Sequence, residues 1–439
     1  MRVLVFGTGI EFSHVLGLAT AGHEVYYYTD YISPYPSFDD FATGYGFENI
    51  VLGLATAGHE VYYYTDYISP YPSFDDFATG YGFENIQKVH NPFAYIDKVD
   101  KVITFDVYGG DLFTFLANKG YKTFGGGIAT ELELNRKFLK LILKSADIPT
   151  PQYKIVRGFK NVKSPCVVKL SIFRGSAETF FINNETEKRN YEVKLRREFG
   201  EFLDKIEFVV EERLELDDRY VEIGVDAVYD YEQGGFLFPM LCGIEYKKGV
   251  YVGKVCNSLS EVPKPMQETL VKLDPILKKL KYKGFLSTEE FINTRGTDHY
   301  FLDITVRSPY PLGLGYRYAM TNFADVVLNG ARPVFRDKFY IAVPLRIEDA
   351  KDFFIYVDTP DPEKDARYNF EALMKINGEY YIPKGEAIQG CVCECFSTLD
   401  ETKIMRTIEQ LLKKVSAISL SDDLSNLPNA LQEAKKLWR

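Results

Sequence analysis

Long apolar runs are missing from this 439-residue sequence. None reaches the roughly 20 residues that a membrane-spanning helix needs, and the opening MRVLVFGTGIEF meets glycines too early to hold the apolar core of a secretory signal. The expectation is a cytoplasmic protein with no membrane partner. Cysteine is also scarce: six in a chain of this length exclude a disulfide-framed scaffold. Cys391, Cys393 and Cys395 alternate in GCVCECF, share one strand face and lack the CxxC metal spacing, so they read as reduced structural thiols. An excess of basic residues is absent too. The formal charge is −10 and the pI about 5.3, which argues against general affinity for nucleic acid. A third glycine is missing from the Gly7-Thr8-Gly9 loop, so the dinucleotide fingerprint is incomplete. An NAD-dependent oxidoreductase using Gly7, Gly9 and Asp30 or Asp66 is therefore the lesser reading.

What is present is a globular composition, 46% hydrophobic and 26% charged, in a chain long enough for about two to four domains. Strands and helices alternate up to residue 125, as in MRVLVFG, VYYYT, KVITFD and GDLFTFLANKG, and imply a Rossmann-like α/β domain with a parallel sheet. Residues 126–332 are mixed. TELELNRKFLKLILKSADIPTP reads as one helix, with Thr130 and Glu133 at capping-box spacing, an apolar stripe of Leu134, Phe138, Leu141 and Ile142, and IPTP as its stop. GFLSTEEFINTRGTDHYFLDITVR reads as a hairpin turning at TRGTD. Residues 333–439 suggest a small α+β domain closed by an amphipathic helix.

Residues 15–50 recur without a change at 51–86, so that His59 is a copy of His23. Two identical copies do not make a solenoid, which needs several divergent units to bury their faces. Each copy carries a helix end, a turn at AGHE, a strand VYYYT and a loop. One copy completes a strand-helix-strand unit, and the other is expected to be surplus to it.

The chemistry is concentrated in charges placed inside apolar strands, where an unpartnered charge costs several kcal/mol. In YFLDITVR, alternation puts Leu302, Ile304 and Val306 on one face and Asp303, Thr305 and Arg307 on the other. Lys169 interrupts CVVKL, and Glu289 follows GFLST. Two acids on neighbouring strands repel unless a cation lies between them, and hard oxygen ligands suit Mg²⁺ carried by a nucleoside triphosphate.

The order of these parts resembles the ATP-grasp ligases over about residues 1–330: LELNRKF with IPTP, a strand with an internal lysine, a glycine turn, the VVEERLELDDRYVEI hinge and an E…DxTxR hairpin. The small C-terminal domain extends the resemblance toward phosphoribosylamine-glycine ligase and biotin carboxylase. The resemblance implies an ATP-grasp fold and a C–N ligase that activates a carboxylate with ATP for attack by an amine, with phosphoribosylamine and glycine as one candidate pair. It implies Arg136, Lys169 and the turn Arg174-Gly175-Ser176-Ala177 at the ATP phosphates. It places Glu211, Glu212 and Leu214 at the adenine, Glu222 at the ribose, and Glu289 and Asp303 at Mg²⁺ (Mn²⁺ as the alternative ion), with Thr305 standing where the family has a further ligand, Asn. Arg307 would steady the transferred phosphoryl group. The partners are small molecules, and the protein is expected to be a monomer or homodimer. A degenerate ATP-grasp protein that binds nucleotide without turnover is the alternative raised by Thr305 and by RSPYPLGLG, which departs from the glycine ligase.

Overall fold

The computed structural model describes residues 1–6, 12–28, 80, 82–83, 86–89, 91–171, 179–246, 249–309, 312–351, 354–382, 388–416 and 423–438. The N-terminal residues form a five-stranded sheet from β1 (Arg2–Phe6), β2 (Glu24–Tyr28), β3 (Ile86–Lys88), β4 (Lys101–Thr104) and β5 (Thr123–Phe124), in the order β3-β2-β1-β4-β5. All four pairings are parallel, as expected for strands joined by helical crossovers. Helix α1 (Phe12–Thr20) buries Phe12, Val15, Leu16 and Leu18, each large side chain contributing about 2 kcal/mol.

In this part of the fold β2 and most of α1 come from the first copy of the repeat, and β3 starts at Ile86, the last residue of the second. Phe83, in the second copy, packs on Phe12 with ring centroids 4.9 Å apart. The second VYYYT segment, residues 61–65, lies outside the described residues, as do Gly7, Gly9, Asp30 and Asp66.

A second sheet, β6 (Tyr153–Arg157), β7 (Cys166–Leu170), β8 (Thr179–Ile182) and β9 (Glu207–Glu211), is antiparallel in the order β6-β9-β7-β8. A third contains β10 (Tyr220–Asp230), β11 (Gly235–Tyr246), β12 (Val250–Cys256), β13 (Lys283–Asn293), β14 (His299–Thr305), β15 (Phe339–Arg346), β17 (Tyr368–Phe370) and β20 (Ile388–Phe396), in the order β14-β13-β10-β11-β12-β15-β20-β17. Strands β15, β17 and β20, all beyond residue 333, are thus built onto the same sheet as the expected hairpin of β13 and β14. A small three-stranded sheet of β16 (Ile355–Val357), β18 (Met374–Ile376) and β19 (Glu379–Ile382), in the order β16-β19-β18, completes the described set.

The single helix expected from Thr130 is broken in two. Helix α2 (Glu131–Leu134) ends at Asn135, whose side chain accepts from Phe138 N and starts α3 (Arg136–Ser145). The capping box does not form. The Thr130 hydroxyl donates to Gly127 O, and Glu133 is drawn away by Arg307. The buried stripe of α3 is Leu139 and Leu143, with Leu141 left 53% exposed, because the break at Asn135 resets the helical phase. Cys391 and Cys393 are buried and Cys395 half-buried, all as free thiols.

Candidate active site

One face of the large sheet carries the polar positions. Along β10 the period of two aligns Glu222, Gly224 and Asp226, and β11 aligns Gly243 with Glu245. On β13 and β14, Glu289 lies opposite Asp303 and Ser287 opposite Thr305. Together with Glu133, Arg136, Arg307, Tyr251, Tyr316 and Tyr340 they line a cavity of about 420 Å³.

The glycines make this floor possible. A Cβ on Gly243 would lie 2.2 Å from the Tyr251 ring, and one on Gly253 2.5 Å from it. Only bare backbone at both positions lets Tyr251 lie flat on the sheet and donate to the Asp226 carboxylate. Gly224 has the same need, since its Cβ would meet Thr288 O at 2.1 Å.

The structure brings Arg136, Glu222, Glu289, Asp303, Thr305 and Arg307 to the cavity wall. Glu222, Glu245 and Glu289 have accessible surface and line the recess. Burial, then the charges of Asp303, Glu245 and Glu222, push the Glu289 carboxyl up to about 8. Burial, then Asp226 and Glu222, push Glu245 up to about 7. Burial acts to raise Asp303 as well, but Arg136 and then Lys169 outweigh it and hold Asp303 below the ordinary carboxylate range.

Arg136 forms an ion pair with Asp303. Arg307 donates through Nε to Glu133 Oε1 at 2.9 Å, while Glu133 Oε2 accepts Val306 N at 2.7 Å. Glu133 thereby fixes both the backbone and the guanidinium at the end of β14. Lys169 on β7 donates to Leu302 O at 2.8 Å and lies 3.6 Å from Glu211. Glu211, expected at the adenine, is buried and held 2.6 Å from Lys140. Glu212 accepts from Gln152 N at 2.9 Å, and Leu214 is half-buried in the connection to β10. Arg174, Gly175 and Ser176 lie outside the described residues.

Sequence reasoning missed Glu133, Lys140, Asp226, Glu245 and Tyr251. Asp226 and Glu245 could have been found, because each is an acid set in an apolar run (IGVDAV, LCGIEY). Glu133 could not, since its partner is 174 residues away.

Among the described residues no three acidic, histidine or cysteine groups converge as a preformed metal site. The donor set still fits a divalent ion delivered with phosphates. Glu289 and Asp303 face one another, the repulsion between them is left uncompensated at Glu289, and phosphate oxygens would complete the oxygen shell.

No protein-family model matches the sequence, and no curated protein matches it. Solved structures do. N5-carboxyaminoimidazole ribonucleotide synthetase from Thermotoga maritima is 14% identical with a TM-score of 0.56, covering 95% of this chain and 99% of that one. Phosphoribosylamine–glycine ligase from the same organism is 16% identical with a TM-score of 0.54, covering 95% and 98%. Biotin carboxylase from Campylobacter jejuni, solved as its beta-gamma-ATP complex, is 12% identical with a TM-score of 0.60, covering 98% and 95%. At these identities the likeness is one of fold, and it extends over nearly the whole of each chain. The protein has the multidomain ATP-grasp fold.

Proposed function

We propose that this protein is an ATP-dependent carboxylate–amine ligase. The observation that carries the proposal is the facing pair Glu289 and Asp303 in a cavity walled by Arg136 and Arg307, on the large sheet of an ATP-grasp fold. When bound, ATP with Mg²⁺ supplies a phosphoryl group that turns the substrate carboxylate into an acyl phosphate.

Glu289 and Asp303 would hold the ion, with Thr305 presenting only a short hydroxyl beside them. Arg136 would exchange its pairing with Asp303 for phosphate oxygens, and Arg307, held by Glu133, would steady the group in transfer. Lys169 and Glu222 would serve the remainder of the nucleotide, and Arg174, Gly175 and Ser176 are assigned to the loop over the phosphates. In the second half-reaction the amine nitrogen attacks the acyl carbon. A C–N bond forms, the C–O bond to phosphorus breaks, and phosphate leaves with the electron pair. Of the two protons the ammonium loses, one leaves on phosphate and one goes to solvent. No side-chain nucleophile is needed.

Phosphoribosylamine with glycine, the purine-synthesis pair, is the first combination to test, followed by a panel of other carboxylates and amines. The readout is ADP release. Release with one pair supports the ligase reading and identifies the pair. Nucleotide binding with no turnover on any pair favours the degenerate reading, which the Arg136–Asp303 ion pair and Thr305 motivate.

A further inference from the structure

Lys140 has no place in the ligase chemistry, yet its side chain is buried to 1% exposure. An ammonium group so placed is costly unless it is partnered. Lys140 follows Arg136 by four residues on α3, so the two share one face of that helix. The helix delivers both cations to acids on other elements. Arg136 pairs with Asp303 on β14, and Lys140 lies 2.6 Å from Glu211 at the end of β9. Lys140 is fixed at both of its ends: the ammonium donates to the Thr150 hydroxyl and lies 6.0 Å from the centre of the Tyr153 ring, and the backbone carbonyl accepts from the Tyr153 hydroxyl at 3.2 Å. Burial holds the ammonium below its ordinary range, the Glu211 charge opposes that and the Lys169 charge adds to it.

Two lysines face the one carboxylate. In the register of β7 and β9, Val167 lies opposite Glu211 and Lys169 opposite Val209, which puts Lys169 and Glu211 on the same face of the sheet, one pair apart. The distances separate the roles of the two lysines. Lys140 is in ion-pair contact with Glu211 at 2.6 Å, whereas Lys169 stands 3.6 Å off and donates instead to Leu302 O at 2.8 Å. A neutral carbonyl holds an ammonium less firmly than a carboxylate in direct contact does. Lys169 is therefore poised to exchange its partner, at the crossing from the small antiparallel sheet to β14.

Resting on the ligase reading, we infer that Lys140 is a positioning residue for the nucleotide: by occupying Glu211 it prevents that carboxylate from capturing Lys169 and keeps the Lys169 ammonium available to the nucleotide's phosphates. Without Lys140, Glu211 and Lys169 are left as a one-to-one buried pair. Every phosphate that reaches Lys169 must then first break that pair. Lys140 itself touches no phosphate, and its effect passes entirely through Glu211.

The test is calorimetric binding of Mg²⁺-ATP, Mg²⁺-ADP and adenosine to the full chain, to Lys140→Met, to Glu211→Gln and to the double variant, with thermal unfolding to confirm that each folds. Lys140→Met should weaken ATP and ADP about tenfold in the wild-type background, but less than about twofold once Glu211 is Gln, because no carboxylate is left to capture Lys169. Adenosine, which carries no phosphate, should bind Lys140→Met as it binds the wild type. A tenfold loss in both backgrounds overturns the inference, since Lys140 would then act without Glu211. No loss in either background overturns it as well, and so does an equal loss for adenosine, which would mark a deformed pocket. If Lys140→Met does not fold, Lys140→Gln, which keeps a donor but no charge, takes its place in the same cycle with the same expected outcomes. The ligase reading is tested apart from this. Wild-type protein that binds no nucleotide removes both proposals, whereas nucleotide binding that shows the Lys140–Glu211 coupling, with no ADP release from any carboxylate and amine pair, removes turnover and leaves Lys140 its role.

Discussion

Glu133 is the residue on which the placement of Arg307 turns. One carboxylate accepts from the backbone of Val306 and from the guanidinium of Arg307, and both partners are nearly desolvated. Glu133→Gln keeps the size and one acceptor but removes the charge. Steady-state kinetics should show kcat falling by about 10- to 100-fold with the KM for ATP little changed; an unaltered kcat would mean that Arg307 needs no such support. A second residue-level expectation concerns pH. Glu289 and Glu245 have carboxyl groups raised to about 8 and about 7. The folded protein therefore keeps protons that the unfolded chain gives up near its ordinary value of 4.5. Stability contributed by these groups is present at low pH and declines as pH rises from about 4.5 toward 8. Thermal unfolding of the ligand-free protein across that range should show the decline, and Glu289→Gln should flatten it. A slope unchanged in the variant would place the titration elsewhere.

At the scale of elements, the end of β14 is tied to the N-terminal helix. His14 on α1 is buried, with Nε2 3.0 Å from Ser308 Oγ and 3.1 Å from Gly313 O. Its ring stacks on Phe105 at 4.7 Å, and Ser308 N donates to Phe105 O. The segment that follows Arg307 is thus clamped by the parallel-sheet domain. His14→Ala should cost about 2–4 kcal/mol in denaturant unfolding, from lost packing and unpaired polar groups; a loss below about 0.5 kcal/mol would show that the clamp is not structural. Much at this scale was legible beforehand. Alternation alone separated Asp303, Thr305 and Arg307 from Leu302, Ile304 and Val306, and TRGTD marked the turn of the hairpin. The helix break at Asn135 was not legible, because a strong helical pattern ran through it and the competing bond from Glu133 to Arg307 is made across 174 residues. The buried network of Lys140, Glu211 and Lys169 was hidden for a similar reason. It joins three separate elements, and EERLELDD looks by itself like a charged hinge.

For the whole molecule, the repeat offers a direct probe. Around the described parallel sheet, β2 and most of α1 come from the first copy, and Phe83 and the first residue of β3, Ile86, come from the end of the second, so a single copy supplies the repeat residues seen there. Removing residues 29–64 leaves a single intact copy, and the shortened protein should unfold at the same temperature and retain its activity. A lowered transition would show that the second copy contributes to the fold. The larger claim is that the ATP-grasp fold places a working ligase site on the face of β10, β11, β13 and β14. ADP release with Mg²⁺-ATP across carboxylate and amine pairs, comparing the wild-type protein with Glu289→Gln, tests it most directly. ADP formation should need both substrates and fall by about 100-fold or more in the variant. Equal ADP formation by the two proteins, or none by either with every pair, would contradict it.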